Sequence, residues 1–301
     1  MGTISLKNKK IIVVGGNGYL GSFLVKALKE KEAKVFIISK NCKNSDNEFR
    51  VDITNFEDVN TIIQKINPDI VYHLAANISR TRDFSIYNSM AAVNVDGTLN
   101  ILKSLENIDS HFIFTSSSEI YGNNISPFKE DQAPKPVSPY SLTKINAEML
   151  IETYCKNYNK KYTNLRLFNF FGEFMPEDFF IPQMIKTLKR GEDFLMTKGE
   201  QVRDFLYVKD VVNALLLTAE NTNSQNQTLN VCSGVGTKLN ELASSINNYI
   251  ESKAKVVVGA IPYRDNEVWE MIGSNTKIKN KIGFEPKYTV DEGIKILINH
   301  L

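Results

Sequence analysis

"KIIVVGGNGYLG", Lys10–Gly21, is an apolar run that breaks into glycines and resumes as a helix-forming pattern. Lys10–Val14 reads as a strand, and an amphipathic helix follows from about Tyr19 to Lys31. Between them Gly15, Gly18 and Gly21 keep a G-x-x-G-x-x-G spacing. Glycines at a strand-to-helix turn let the backbone bend sharply and let a pyrophosphate come close to the free N–H groups that open the helix. The strand before and the helix after turn a weak glycine pattern into a prediction of dinucleotide binding. Asn17, Tyr19 and Leu20 complete the cradle.

Outward from this turn the first half alternates short β-branched runs with longer amphipathic segments. "KVFIIS" (34–39), "DIVYHLA" (69–75), "HFIFTS" (111–116) and "YTNLRLF" (162–168) read as strands, with helices near 56–66, 86–105 and 139–157 between them. Repeated strand–helix units with short loops predict a parallel sheet covered on both faces. The fold class is therefore α/β, a Rossmann-type doubly wound parallel sheet with a smaller C-terminal substrate lobe. The expected division is residues 1–168 for the dinucleotide-binding domain and mainly 169–301 for the substrate lobe, with elements near 203–233 returning to the first. In the second half Pro176 and Pro182 punctuate "MPEDFFIPQ", which reads as irregular.

Composition narrows the function classes. At 301 residues the chain is long enough for a core that needs no disulfide or metal staple. Cys42, Cys155 and Cys232 are far apart and odd in number, which suits a reducing cytosol and a cytoplasmic protein. Net charge is +2 with acids and bases interleaved, so no basic block points to nucleic acid or an anionic membrane. The opening "MGTISLKNKK" leads to an apolar run too short for a signal core or a membrane span. No H-x-E-x-H or Cys/His cluster predicts a metal.

The end of the second strand bears on the type of dinucleotide. An NAD site usually has an acidic residue there for the ribose 2′-hydroxyl. Here the sequence is "IISKNCK", with Ser39 and Lys40 at that point. A hydroxyl and a cation suit a 2′-phosphate, so NADP(H) is favoured and NAD(H) is the alternative. Asp52 and Ile53 in "RVDIT" are placed to flank the adenine.

"SPYSLTK" (138–144) sets Tyr140 and Lys144 four residues apart, on one face of a helix. Together with "GGNGYLG" (15–21), "VDIT" (51–54), "YHLAA" (72–76), "NVDGT" (94–98), "TSSSEIYG" (115–122), "RLFNFFG" (166–172), "RDFLYVKD" (203–210) and "RDNE" (264–267), it gives the chain its likeness to a known family. The sequence resembles the extended short-chain dehydrogenases/reductases of the nucleotide-sugar epimerase/dehydratase group over nearly its whole length. The resemblance implies that Tyr140 is the general acid/base and Lys144 its electrostatic support. Chemistry agrees, since a phenol of pKa near 10 needs a nearby cation to work at neutral pH. The same resemblance implies Ser117 as the hydroxyl on the sugar oxygen, with Ser116 and Ser118 as competitors. It places Leu74, Ala75, Ala76, Asn94 and Thr115 in the cofactor pocket, with Tyr140 and Lys144 reaching the nicotinamide ribose. It gives Ser117, Ser118, Glu119, Asn169, Arg203 and Arg264 to the nucleotide-sugar, the two arginines pairing with its diphosphate.

Within that group, a 4,6-dehydratase carries an acidic pair directly after the site hydroxyl, where this chain has Ser118 and Glu119. Dehydration is therefore disfavoured. "GEQVRDFLYVKDVVNALL" (199–216) with "YRDNE" (263–267) is similar to nucleotide-4-keto-6-deoxy-sugar reductases of the abequose-synthase type, which makes a 4-keto reductase the expectation and a 4-epimerase the alternative. The helices at 86–105 and 139–157 are the family's usual dimer surface, implying a homodimer.

Overall fold

The computed structural model describes residues 2–250, 252–264 and 266–301. Asp265 of the "RDNE" motif and Met1 of the opening stretch lie outside the described residues. The first half of the chain runs β1 (Lys10–Val14), α1 (Tyr19–Glu30), β2 (Lys34–Ser39), β3 (Glu48–Arg50), α2 (Phe56–Ile66), β4 (Ile70–His73), α3 (Tyr87–Ala91), α4 (Gly97–Ser104), β5 (His111–Ser117), α5 (Pro139–Asn157) and β6 (Lys161–Leu167). The second half runs β7 (Asn169–Phe171), α6 (Phe180–Lys189), β8 (Phe194–Met196), β9 (Val202–Tyr207), α7 (Val208–Glu220), β10 (Gln227–Val231), β11 (Gly236–Lys238), α8 (Leu239–Tyr249), β12 (Val256–Val258), β13 (Glu270–Met271), α9 (Thr276–Ile282) and α10 (Val290–His300).

The main sheet is parallel throughout and ordered β3–β2–β1–β4–β5–β6–β10. Strand order reverses between β1 and β4, and ligands of such sheets bind where it reverses, beyond the carboxyl ends of the strands. Ile11, Ile12, Val13 and Val14 are at most 1% exposed, because both faces of β1 are covered. Ile11 and Val13 pack with α1, α7 and α9, while Ile12 and Val14 pack with α2, α4 and α5. Each such buried side chain contributes about 1.5–3 kcal/mol.

The smaller sheet joins β9 to β7 and β13 in parallel and to β11 in antiparallel sense. Residues 203–233 therefore divide. α7 and β10 pack into the main sheet's layers, whereas β9, expected among the returning elements, stays in the smaller sheet. The stretch read as irregular around Pro182 leads into α6. Proline is tolerated there because the first turn of a helix has no partner for its N–H. No helix among the described residues is long and apolar enough to cross a membrane.

Candidate active site

The glycine turn sits at the point where strand order reverses. Gly15 has φ +85°, and a Cβ there would lie 2.8 Å from the Ala75 nitrogen. A Cβ on Gly21 would overlap the Gly15 carbonyl oxygen. Only glycine lets the turn pack this closely against β4 and α1. The Leu74 and Ala75 N–H groups both donate to the Val14 carbonyl, at 2.9 and 3.0 Å, so the two loops form one floor. No side chain caps α1 at Gly18 and no acid stands in its first turn, which leaves its opening N–H groups and dipole for an anion. Asn17 and Gly18 are exposed at the rim. Tyr19 and Leu20 offer this turn their backbone, because their side chains point elsewhere. Leu20 is in the core, and the Tyr19 ring stacks on Phe170, centroids 6.0 Å apart. The turn thus fits a dinucleotide pyrophosphate.

At the end of β2 the Lys40 ammonium lies 2.9 Å from Asp52 Oδ2. Asp52 Oδ1 accepts from the Thr54 N–H and hydroxyl, and Lys40 is the leading cause that holds the Asp52 carboxyl below the usual carboxylate range. Ser39 Oγ accepts from the Asn41 N–H at 3.4 Å. Ile53 is buried and packs against Gly97 of α4.

Tyr140 and Lys144 are placed by a helix start. Ser138 caps α5, its hydroxyl accepting from the Ser141 N–H while Ser141 Oγ accepts from the Ser138 N–H, and Pro139 takes the first helical position. This capping box fixes where the helix begins and therefore which face carries Tyr140 and Lys144. Burial raises the Tyr140 pKa, Glu119 raises it further, and the Ser117 hydroxyl within hydrogen-bond reach lowers it. Burial pushes Lys144 down to about 7. Its ammonium lies 4.1 Å from the centre of the Phe114 ring.

The three adjacent serines separate by partner. Ser118 Oγ donates to Met271 Sδ at 3.2 Å, the buried Ser116 Oγ has no partner among the described residues, and Ser117 Oγ accepts from the Glu119 N–H and faces Tyr140. Thr115 donates to the His73 carbonyl and ties β5 to β4. Asn94 lies in a π-turn, Ala92–Asp96, that joins α3 to α4. Its amide accepts from the Asn77 N–H and donates to the Asn77 carbonyl and to Thr143, bracing the loop beyond Ala76 against α5. His73 shares a hydrogen bond with Thr98 at 3.0 Å, and burial pushes its pKa down to about 3.

Beside Tyr140, the Glu119 pKa is raised by burial and lowered, in order of strength, by Arg82, Arg203, Arg80 and Arg264. Arg203 does not pair with its neighbour Asp204 or with Asp210. Its Nη2 donates to Glu267 at 2.7 Å. Asp204, on the opposite face of β9, accepts from the Ser233 N–H and hydroxyl, Gly234 and Gly273, while Asp210 accepts from the Lys287 and Tyr288 N–H groups. Asn169 Nδ2 lies 3.9 Å from Met271 Sδ, and Arg264 is exposed. Sequence reasoning missed Arg80, Arg82 and Met271. Arg80 donates to the Asp178 carbonyl at 2.7 Å and covers the Phe179 ring at 4.5 Å. Arg82 donates to the Val137 carbonyl at 2.7 Å and to the Asn266 carbonyl at 3.4 Å. The available signal was "SRTRD" (79–83), two arginines in the loop leaving the strand where the order reverses.

The chain is similar to known proteins over nearly its whole length. The profile described as the NAD dependent epimerase/dehydratase family matches residues 11–232. A putative UDP-glucose 4-epimerase of Methanocaldococcus jannaschii is 32% identical over 96% of this chain and 97% of its own. CDP-abequose synthase of Salmonella typhimurium is 27% identical over 97% of this chain and 98% of its own. Among solved structures, UDP-glucose 4-epimerase of Thermotoga maritima with UDP-glucose superposes with a TM-score of 0.89 at 30% identity, covering 97% of this chain and 98% of that one.

Proposed function

The chain belongs to the NAD-dependent epimerase/dehydratase family, and on that premise we propose that it is an enzyme that reduces the 4-keto group of a nucleotide-activated, 6-deoxy sugar with NADP(H). The observation that carries the reading is Tyr140, with Ser117 at hand, Lys144 one helical turn away and Glu119 with its arginines alongside. Gly15, Gly18 and Gly21 would hold the dinucleotide's pyrophosphate, and Ser39 and Lys40 its 2′-phosphate. The bound dinucleotide supplies the hydride chemistry at the sugar's C4. Tyr140 gives the C4 oxygen its proton, and Lys144 and Ser117 stabilise the charge that develops there. Arg203 and Arg264 would bind the diphosphate of the sugar nucleotide, with Arg80 and Arg82 adding positive charge at the same wall. Ser118 in place of a carboxylic acid, its hydroxyl committed to Met271, argues against elimination of a sugar hydroxyl.

A second reading has its own support. Lys40 is engaged by Asp52, and relatives at similar identity carry the name UDP-glucose 4-epimerase, which favours 4-epimerisation with a retained NAD. Protein purified without added cofactor, then denatured, decides between them through the mass of any released dinucleotide. An exchangeable site preferring NADPH over NADH, with turnover on nucleotide-4-keto sugars, supports the reductase. Retained NAD with turnover on intact nucleotide sugars overturns it in favour of the epimerase. We also propose a homodimer formed through α3, α4 and α5, with Met149 of α5 at 62% exposure and Phe84, just ahead of α3, at 56%. Sedimentation as a monomer would count against that.

A further inference from the structure

Behind the acid–base pair lies a set of charges that the reaction outlined above does not use. Tyr140, Lys144 and Glu148 follow at four-residue steps along α5 and so share a face. Lys144 and Glu148 are buried, at 2% and 1% exposure. A carboxylate at that depth must be paired. Arg166 on β6 supplies the partner, its Nε 3.2 Å from both Glu148 oxygens and its Nη2 2.8 Å from Oε2. Arg166 is fixed in turn, because its Nη1 donates to Tyr121 Oη at 2.8 Å and to the Glu130 carbonyl at 3.0 Å. Tyr121 then donates to Asn230 Oδ1 at 2.7 Å. Every bond in this relay holds the Glu148 carboxylate in place. Lys144, by contrast, has no carboxylate within ion-pair distance among the described residues and rests on the Phe114 ring.

The titratable and charged groups around Lys144 are Tyr140 and Glu148 on its own helix, His73 at the end of β4, Arg166 on β6 behind Glu148, and Glu119 beside Tyr140. His73 is neutral, since burial and the Lys144 charge keep it so. We propose that Glu148 is a positioning residue for the acid–base pair: clamped by Arg166, it is the fixed counter-charge that keeps Lys144 cationic beside Tyr140, and Arg166 sets how much of that charge Lys144 feels.

The proposal has a sign that a merely structural pair lacks. Burial depresses Lys144 and Glu148 opposes that depression. Removing the Glu148 charge makes Lys144 lose its proton at lower pH. Removing the Arg166 charge unmasks the carboxylate and makes Lys144 keep its proton to higher pH. A pair that only held the helix to the sheet would disturb the site in the same direction from either end.

The test follows the 13Cε resonance of Lys144 against pH in cofactor-free protein carrying labelled lysine, the signal being assigned with Lys144→Arg. The inference rests on the Tyr140–Lys144 reading of the site. The titration needs neither substrate nor turnover, so its failure is separate from failure of the proposed reaction. Relative to wild type, Glu148→Gln is expected to move the midpoint down by about one pH unit or more and Arg166→Gln to move it up. An unmoved midpoint in Glu148→Gln, or shifts of the same sign in both, overturns the proposal. Either single variant leaves a buried charge unpaired and can fail to fold. The double variant Glu148→Gln/Arg166→Gln removes both charges, and its midpoint is expected below wild type because Glu148 stands one turn from Lys144. A midpoint at or above wild type overturns the proposal from that side too.

Discussion

The glycine turn and the wall of arginines around Glu119 suit anions by different means. The turn presents backbone N–H groups, and its shape is dictated by steric contacts at Gly15 and Gly21 that no other residue satisfies. The wall presents four side chains from three separate stretches, with Arg80 and Arg82 on the loop after β4, Arg203 on β9 and Arg264 beyond β12. Recognition by backbone is local, so it concentrates in a few adjacent residues and tolerates no substitution. Recognition by side chains is assembled over distance, so each arginine is individually replaceable.

Tyr140→Phe stands outside this contrast and sets its scale. It removes the proposed acid–base group, and turnover is expected to fall by about 10²–10⁴-fold while dinucleotide and nucleotide-sugar binding persist in titrations. Loss of binding together with turnover would mean that Tyr140 shapes the cleft rather than acting in it. Gly21→Ala tests the backbone side. The added methyl meets the Gly15 carbonyl, and dinucleotide affinity is expected to drop by about a hundredfold or more, read by nicotinamide fluorescence. Unchanged affinity would break the claim that the turn is sterically fixed.

The side-chain wall should give way more gently. Arg203→Ala removes a charged donor of the kind that contributes about 1.5–3 kcal/mol, so KM for the sugar nucleotide is expected to rise about ten- to a hundredfold with kcat less affected. Arg82→Ala should act in the same sense. A collapse of kcat with KM unchanged would instead move these residues into the chemical step. The smallest effect belongs to Lys40→Ala. Its pair with Asp52 is solvent-exposed and such pairs are worth about 0–1 kcal/mol, so NADPH affinity should weaken less than about tenfold and NADH affinity should not change. Equal weakening of both would remove Lys40 from discrimination at the 2′-position.

Much of the fold follows from periodicity alone. β1, β2, α2 and α5 occupy the residues that their hydrophobic patterns and caps predict, because each is long or strongly bounded by glycine, asparagine or the Ser138–Pro139 start. β3, β7 and β13 are two or three residues long, too short to show a period, and they exist because a neighbouring strand leaves an edge for them. The sequence by itself determined the glycine turn, the face shared by Tyr140 and Lys144, and the hydroxyl-rich stretch that ends β5, since all of these depend on spacing within one element. Only the tertiary structure decided that Lys40 meets Asp52, that Arg203 meets Glu267 rather than Asp204, that Arg80 and Arg82 join the wall, and that Arg166 clamps Glu148 behind Lys144. The reason is distance along the chain. A charge chooses its partner by where sheet order and lobe packing bring it, and nothing in the flanking residues records that choice.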